Sequence, residues 1–364
     1  MTVIPHGSES FDLASMKIRV LLAFVLAFAC GAMIGAANQR ANASQAAQSA
    51  PPQPAASEPD ADSPDTEDAD SHPIIWPASA GSPEQVIYAQ AQRMQEVLNK
   101  LAPRSAGKTN LYLINFAGDG EENVFRNEVE YVEALFTRRF AAAGHVVSLI
   151  NNPATLDHHP IASLSNLEIA IDALGKKMNP EEDVLMVFIT THGSRGHELY
   201  VSLDPLPLDQ IMPEDLADLF SDSPIKHRVF VISACYSGGF INALKNNDTM
   251  VITAARTDRA SFGCGTQSDI TDFGRAFFVE ALNHTASFVE AFAEARKDVD
   301  AWETRDHQAH SFPQIATAAP IEAALKAWRD GFKPGPAVPF IAPVQKHHNP
   351  PAQQTEQAVV TAQR

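Results

Sequence analysis

The chain has 364 residues, and 45% of them are hydrophobic, which is enough apolar material for one large domain or two small ones. The formal net charge is −17, and the acidic stretch 58–70 contributes seven carboxylates without a Lys or Arg. This balance argues against the classes of protein that bind nucleic acid or anionic membranes through a basic face, so we expect no nucleic-acid partner.

Residues 20–37 form an apolar run without a charge, and Lys17 and Arg19 precede it. A helix of this length spans about 27 Å, close to the ~30 Å hydrocarbon core of a bilayer, so the run fits a secretory signal or a single membrane anchor. We therefore interpret residues 1–43 as a signal peptide or membrane anchor. The protein is expected to be exported, either periplasmic or anchored in the inner membrane facing the periplasm, and to contact the membrane only through 20–37.

Two further segments have the composition of disordered chain. Residues 44–83 are rich in Pro, Ala and Asp, which predicts a disordered linker. Residues 333–364 contain six prolines and end in a Gln-rich sequence, which predicts a disordered tail. The folded domain is therefore predicted over 84–332.

Helical periodicity and apolar strand-like runs alternate along this domain. The predicted helices are 84–101, 123–143, 165–178, 213–220, 272–282, 287–299 and 321–328. The predicted strands are 110–116, 145–150, 183–190, 198–203, 228–233 and 249–253. Continuous Val, Ile and Leu runs between helices are typical of strands buried on both faces, so the sequence predicts an α/β fold, a three-layer α/β/α sandwich with a mostly parallel central sheet.

Two of the predicted strands end in a small-residue turn that carries one reactive side chain. His192 and Gly193 follow the run that begins at residue 184, and Cys235 follows the run that begins at residue 229. Ligands bind at the carboxyl ends of parallel strands, so we predict that both side chains meet there. Cys235 would be a thiol nucleophile with His192 as its base, and the backbone N–H groups of Gly193 and Cys235 would stabilise an oxyanion.

Other interpretations of these residues remain open. Cys235 and Cys264 could form a structural disulfide in an oxidising compartment, and a bridged Cys235 could not act as a nucleophile. A His-Gly pair after a strand is commonly a turn, and an isolated Cys is commonly packing. His197 and Glu198 do not form the His-Glu-x-x-His pattern of a zinc peptidase, so we expect neither a metal nor another cofactor.

The same residues resemble the legumain-like cysteine peptidases of family C13, here in a form expected to be bacterial and either exported or membrane-anchored. The resemblance is carried by 188–194, 233–238 and 252–262, and it extends over most of 108–330. It implies a caspase-like fold, a peptide or protein substrate, His192 as base and Cys235 as nucleophile. It also implies an oxyanion hole formed by the N–H groups of Gly193 and Cys235.

The resemblance suggests roles for three more residues. Arg126 stands where the family has an arginine that lines the pocket for the residue before the cleaved bond, and Ser233 stands where an acidic residue flanks the cysteine, so both are assigned to substrate binding. Asn123 would orient His192. For Arg126 a surface ion pair on its helix is the alternative. Ser233 and Tyr236 replace the acidic flank, and the sequence leaves the preferred residue open.

The sequence thus predicts a cysteine endopeptidase that forms a thioester at Cys235. Resolution of the thioester by an amine instead of water would make the protein a transamidase or ligase of the same family. A catalytically silent scaffold of the same fold is the alternative from a different class. A Cys-dependent hydrolase of non-peptide substrates is a third.

Overall fold

The computed structural model describes residues 76–342, and in them six strands form one sheet. The strands are β1 (Leu111–Ala117), β2 (Val146–Ile150), β3 (Val184–Thr190), β4 (His227–Ser233), β5 (Thr249–Thr253) and β6 (Gln314–Ala316). Their order across the sheet is β2-β1-β3-β4-β5-β6. Neighbouring strands are parallel except β5 and β6, which are antiparallel.

Helices cover both faces of this sheet. They are α1 (Pro83–Asn99), α2 (Asn123–Arg139), α3 (Leu164–Lys177), α4 (Pro213–Asp218), α5 (Phe240–Leu244), α6 (Asp272–Gly274), α7 (Phe288–Arg305) and α8 (Ala319–Asp330). Helix α6 continues as a π-helical segment, Arg275–Glu280, and a 3₁₀ turn, Ala281–Asn283. One apolar core lies between the sheet and α2, α6, α7 and α8, and a second lies between the sheet and α1, α3, α4 and α5.

The central strands are buried on both faces, which explains their continuous apolar sequences. Met186 and Phe188 of β3 point into the first core, whereas Val187 and Ile189 point into the second. Alternate side chains of one strand therefore supply both layers. This arrangement confirms the predicted three-layer α/β/α sandwich with a mostly parallel sheet.

The structure differs from the predicted elements in several places. Residues 198–203 form no regular strand and instead make isolated bridges, in which Leu199 pairs with Gly193 and Ile211. The edge strand β6 has only three residues and gives too short a sequence pattern to be predicted. Helix α2 ends at Arg139, not at residue 143, and a turn follows in which Gly144 has a φ of +76°.

Ordered structure extends beyond both predicted limits of the domain. At the start, the Ser82 side chain accepts a hydrogen bond from the Gln85 N–H and caps α1. At the end, Val338 is buried, and its carbonyl accepts a 2.8 Å hydrogen bond from the Tyr131 hydroxyl. Capping and apolar residues beyond 84 and 332 therefore pack onto the domain, and its exact limits stay a prediction.

Much of the predicted linker and tail, and the whole of segment 1–43, lie outside the described residues. The apolar run 20–37 falls in that part of the chain. Within 76–342, none of the helices combines the length and the apolar character that crossing a bilayer requires.

Candidate active site

The register of the sheet brings the two predicted catalytic residues together. Thr190 at the end of β3 pairs with Ser233 at the end of β4, and His192 and Cys235 each follow two residues later. The two segments that follow β3 and β4 stay in contact beyond the strands. A Cβ added at Gly193 would lie only 2.1 Å from the carbonyl oxygen of Cys235. A glycine is therefore required at 193, next to the candidate base.

The turn after Cys235 has an unusual backbone that is held by specific contacts. Tyr236 has a φ of +56°, a left-handed conformation that costs a bulky residue ~1–2 kcal/mol. Its N–H donates to the Arg259 carbonyl at 2.8 Å, and its own carbonyl lies 3.1 Å from His197 Nδ1. The His197 ring also packs on Gly239, where an added Cβ would lie 2.2 Å from the ring. His197 therefore braces this turn.

Two backbone donors near the thiol are available to a substrate. In residues 76–342, the N–H groups of Gly193 and Cys235 donate to no backbone or side-chain acceptor. Gly193 faces Leu199 in a bridge whose hydrogen bonds are made by the flanking residues. Free N–H groups beside a nucleophile are what an oxyanion hole requires.

The sulfur of Cys235 lies under the loop that follows β5. The Ser261 N–H donates to Cys235 Sγ at 3.3 Å, and both Cys235 and Cys264 are free thiols. Hydrogen bonding from the Cys264 thiol lowers the pKa of Cys235 to about 6, with help from Ser261 and the charge of His192 and against the effect of burial. The same contact raises the pKa of Cys264. Cys235 is thus the member of this pair that ionises first.

His192 lies beside two carboxylates. Its Nε2 is 3.4 Å from Glu122 Oε2 and 4.0 Å from Asp119 Oδ2, and its ring packs edge-on against Phe125. Burial opposes a charge on the ring, but the two carboxylates and Cys235 outweigh it and raise the pKa of His192. Burial and the nearby Glu122 charge raise the pKa of Asp119 to about 6.

The predicted orienting residue, Asn123, is not the one that contacts His192. The Asn123 side chain accepts a 3.1 Å hydrogen bond from Asn152 Nδ2, and Glu122, one residue earlier, takes the place beside the imidazole. The prediction for Asn123 is therefore wrong. Sequence reasoning missed the acidic segment after β1, which contains Asp119 and Glu122. This segment reaches the site because β1 lies next to β3, so the carboxyl ends of both strands meet at the same edge of the sheet.

Arg126 lies on α2 with its guanidinium partly buried. It donates to Asn152 Oδ1 at 3.2 Å and to Asn127 Oδ1 at 2.9 Å, and its Nε is 4.0 Å from Glu130. These contacts include the ion pair within the helix that was the alternative reading of this residue. Its assignment to substrate binding stays a prediction.

Ser233 is also placed differently from the prediction. It is 2% exposed, and its hydroxyl shares a 3.0 Å hydrogen bond with the hydroxyl of Thr271, the residue before α6. The short side chain at the end of β4 points into the protein below the site, so it cannot line a substrate cleft. The assignment of Ser233 to substrate binding is wrong for this reason.

A buried carboxyl group, Glu128 on α2, joins the elements that carry the site. It accepts hydrogen bonds from Thr190 at 2.8 Å and from Thr271 at 3.1 Å, and Thr271 in turn contacts Ser233. Full burial raises the pKa of Glu128 to about 8, even though the hydroxyl groups favour its charged form. Sequence reasoning missed Glu128, although a Glu on the inward face of α2, beside Val129, signals it.

One comparison with known proteins agrees with the predicted family. Residues 164–322 match the model of the Peptidase C13 family, a range that includes His192 and Cys235 but not Asp119, Glu122 or Arg126. No curated protein matches the sequence. Among solved structures, the chain is similar to the crystal structure of caspase-1 from Spodoptera frugiperda, with 16% identity and a TM-score of 0.42, over 59% of this chain and 92% of that one. The family match supports a cysteine-peptidase type of function in general.

Proposed function

Because residues 164–322 of the chain match the model of the Peptidase C13 family, we propose that the protein is a cysteine endopeptidase that cleaves peptide bonds through a thioester at Cys235, with His192 as general base. One observation above all supports the proposal. The two side chains follow neighbouring strand ends, where their surroundings lower the pKa of the thiol and raise that of the imidazole.

In the resting enzyme of this proposal, Cys235 is a thiolate and His192 an imidazolium. The surroundings lower the pKa of the thiol to about 6 and raise that of the imidazole above its ordinary value, so a proton shared by the pair lies on the ring and not on the sulfur. Since Nε2 faces Glu122 and Asp119, Nδ1 is the nitrogen that serves the thiol. The negative charges of the carboxylates stabilise the protonated ring.

The acylation step starts from the thiolate. Cys235 Sγ attacks the carbon of the scissile carbonyl, and the carbonyl electron pair moves to the oxygen, which accepts hydrogen bonds from the N–H groups of Gly193 and Cys235. The C–N bond then breaks as His192 gives its proton to the departing amine, which leaves a thioester. Water then transfers a proton to His192 and attacks the thioester carbon, and the thiolate departs from the acid product.

Labelling and cleavage by the same protein samples test this proposal. The wild-type protein, Cys235→Ala, His192→Ala and Cys264→Ala are treated with a limiting amount of iodoacetamide near pH 7, and their cleavage of a peptide library is measured by mass spectrometry. We expect rapid labelling and cleavage by the wild type, and loss of both in Cys235→Ala and His192→Ala. Cys264→Ala shows whether any of the labelling occurs at the second free thiol.

The same experiment separates the alternatives. Equal labelling of the wild type, Cys235→Ala and His192→Ala would rule out an activated nucleophile. Labelling at Cys235 without cleavage of peptides or esters would indicate a silent scaffold, and cleavage of simple esters alone would indicate a non-peptide hydrolase. A second peptide that supplies a free amine identifies a transamidase, because the product is then a joined peptide and not the hydrolysed acid.

We also propose that the enzyme is exported and acts on the periplasmic side of the inner membrane. The uncharged run 20–37 and the two basic residues before it support this location. Fractionation of cells that express the full chain, and a chain with 20–37 deleted, tests it, since the deletion is expected to move the protein to the cytoplasmic fraction.

A further inference from the structure

Three metal-ligating side chains converge on the Nε2 side of His192. Asp119 follows β1, Glu122 directly precedes α2, and His192 follows β3, so the group is assembled from separate parts of the chain. One donor atom from each lies within 4.8 Å of the others. We call these three residues the carboxylate–histidine cluster.

The spacing of the donor atoms fits a small tetrahedral ion. Zinc binds imidazole nitrogen and carboxylate oxygen at about 2.0–2.2 Å, which places two ligands of one tetrahedral ion about 3.4 Å apart. His192 Nε2 lies 3.4 Å from Glu122 Oε2 and 4.0 Å from Asp119 Oδ2. The His192–Glu122 separation already matches this value, whereas the other two pairs of donor atoms, which lie within 4.8 Å, would have to move closer on metal binding.

Glu122 gives an independent indication that a ligand belongs here. The residue is 9% exposed, and its Oε2 is buried without a hydrogen-bond partner among the described residues. Although Nε2 is only 3.4 Å away, it does not donate to this oxygen. Two ligands of one metal lie in this way, since each points at the ion and not at the other.

The charges around the cluster also favour a cation. Asp119 and Glu122 repel each other, and Glu121 interacts unfavourably with Glu122 and Asp204. The opposing positive group is His192 when it is protonated. A divalent ion would neutralise both buried carboxylates.

We propose that Asp119, Glu122 and His192 bind Zn²⁺ or a similar divalent ion, and that the bound ion prevents His192 from acting as a base. One nitrogen with two oxygens favours Zn²⁺ over Ca²⁺ or Mg²⁺, which take six or more oxygen ligands or keep a water shell. An imidazole coordinated through Nε2 keeps one proton on Nδ1 and cannot accept a second. This blocking effect rests on the proposed function, whereas the binding site does not.

Metal binding is tested on the full chain with Cys235→Ala, which removes the nucleophile as a competing ligand. Zn²⁺ is titrated by calorimetry, and Co²⁺ is titrated in parallel because its visible absorption reports tetrahedral coordination. Adding Glu122→Gln or His192→Ala to this background is expected to weaken Zn²⁺ binding by at least about tenfold, the loss that even outer-shell partners of metals produce. Glu121→Gln, an exposed acidic neighbour, is the matched control and is expected to change affinity less than about threefold.

Three outcomes decide the proposal. Equal Zn²⁺ affinity in the Cys235→Ala background with and without Glu122→Gln and His192→Ala would overturn the site, and melting curves in chelator show whether these variants are folded. If Zn²⁺ inhibits the wild-type peptidase at the concentration that saturates the site of the Cys235→Ala protein, this supports the proposal that the bound ion prevents His192 from acting as a base. Zn²⁺ binding without inhibition overturns that part of the proposal. A wild type without peptidase activity counts against the proposed function only, because binding is measured on an inactive variant.

Discussion

Replacement of Glu128 by Gln is expected to stabilise the protein increasingly as the pH rises. The carboxyl group has a pKa of 4.5 in its ordinary state and about 8 in the fold, where it is fully buried. Below pH 4.5 both the folded and the unfolded chain carry its proton. Between pH 4.5 and 8 the folded chain keeps a proton that the unfolded chain releases, so the contribution of Glu128 to the free energy of unfolding falls.

The size of this effect follows from the two pKa values. Each pH unit in the window lowers the free energy of unfolding by ~1.4 kcal/mol, which amounts to about 3 kcal/mol at pH 7 and levels off near 5 kcal/mol above pH 8. Gln is neutral in both states and keeps an oxygen for Thr190 or Thr271. The stability difference between Glu128→Gln and the wild type should therefore grow by ~1.4 kcal/mol per unit from pH 5 to 8.

Urea unfolding of the full-length proteins at pH 5, 6, 7 and 8 measures this difference, in which the other titrating groups cancel. Glu130→Gln is the matched control, because Glu130 lies on the same helix with its side chain 48% exposed, and its difference from the wild type should stay nearly constant. A Glu128→Gln difference that does not change with pH would contradict this prediction, since it would mean that the buried carboxyl group is already ionised.

Three further outcomes are expected. The dependence of kcat/KM on pH should be bell-shaped, because it rises near pH 6 as Cys235 ionises and falls above pH 6.5 as His192 loses its proton. A rate that rises steadily to pH 9 would contradict the proposed pair of Cys235 thiolate and His192 imidazolium. Cys264→Ala should raise the pKa of the Cys235 thiol, which is measured as a shift to higher pH of the alkylation rate by iodoacetamide; an unshifted profile would exclude the hydrogen bond between the thiols. Glu122→Gln should lower kcat by at least about tenfold and shift the alkaline side of the pH profile to lower pH. Asn123→Ala should leave the alkaline side in place, because Asn123 contacts Asn152 and not His192. A larger effect of Asn123→Ala than of Glu122→Gln would restore Asn123 as the orienting residue.

The features of the site that could be predicted from sequence are those encoded in a short stretch of chain. His192 and Cys235 each follow a continuous apolar run and precede small residues, a local pattern typical of a buried parallel strand and its functional edge. Gly193 was assigned from its position after the histidine, and the structure adds the steric reason, since the Cys235 carbonyl occupies the space of a side chain.

The errors arose where a role depends on a partner distant in sequence. Asn123 and Glu122 are adjacent and equally polar, and which of them reaches His192 depends on how α2 starts relative to β3. Ser233 was assigned to a substrate cleft from its place beside the strand end, but the side chain turns inward to Thr271. The packing of Val338 beside Tyr131 likewise joins residues 207 positions apart.

The sequence by itself therefore determined the alternation of helices and strands, the layered fold and the pair of strand ends that carry the candidate nucleophile and base. Periodicity and turn residues are local, and a parallel sheet collects its carboxyl ends at one edge whatever its strand order. The tertiary structure alone decided that β1 lies beside β3. That neighbour relation brings Asp119 and Glu122 to His192 and buries Glu128 under both strand ends, because strand order is set by packing across the whole domain.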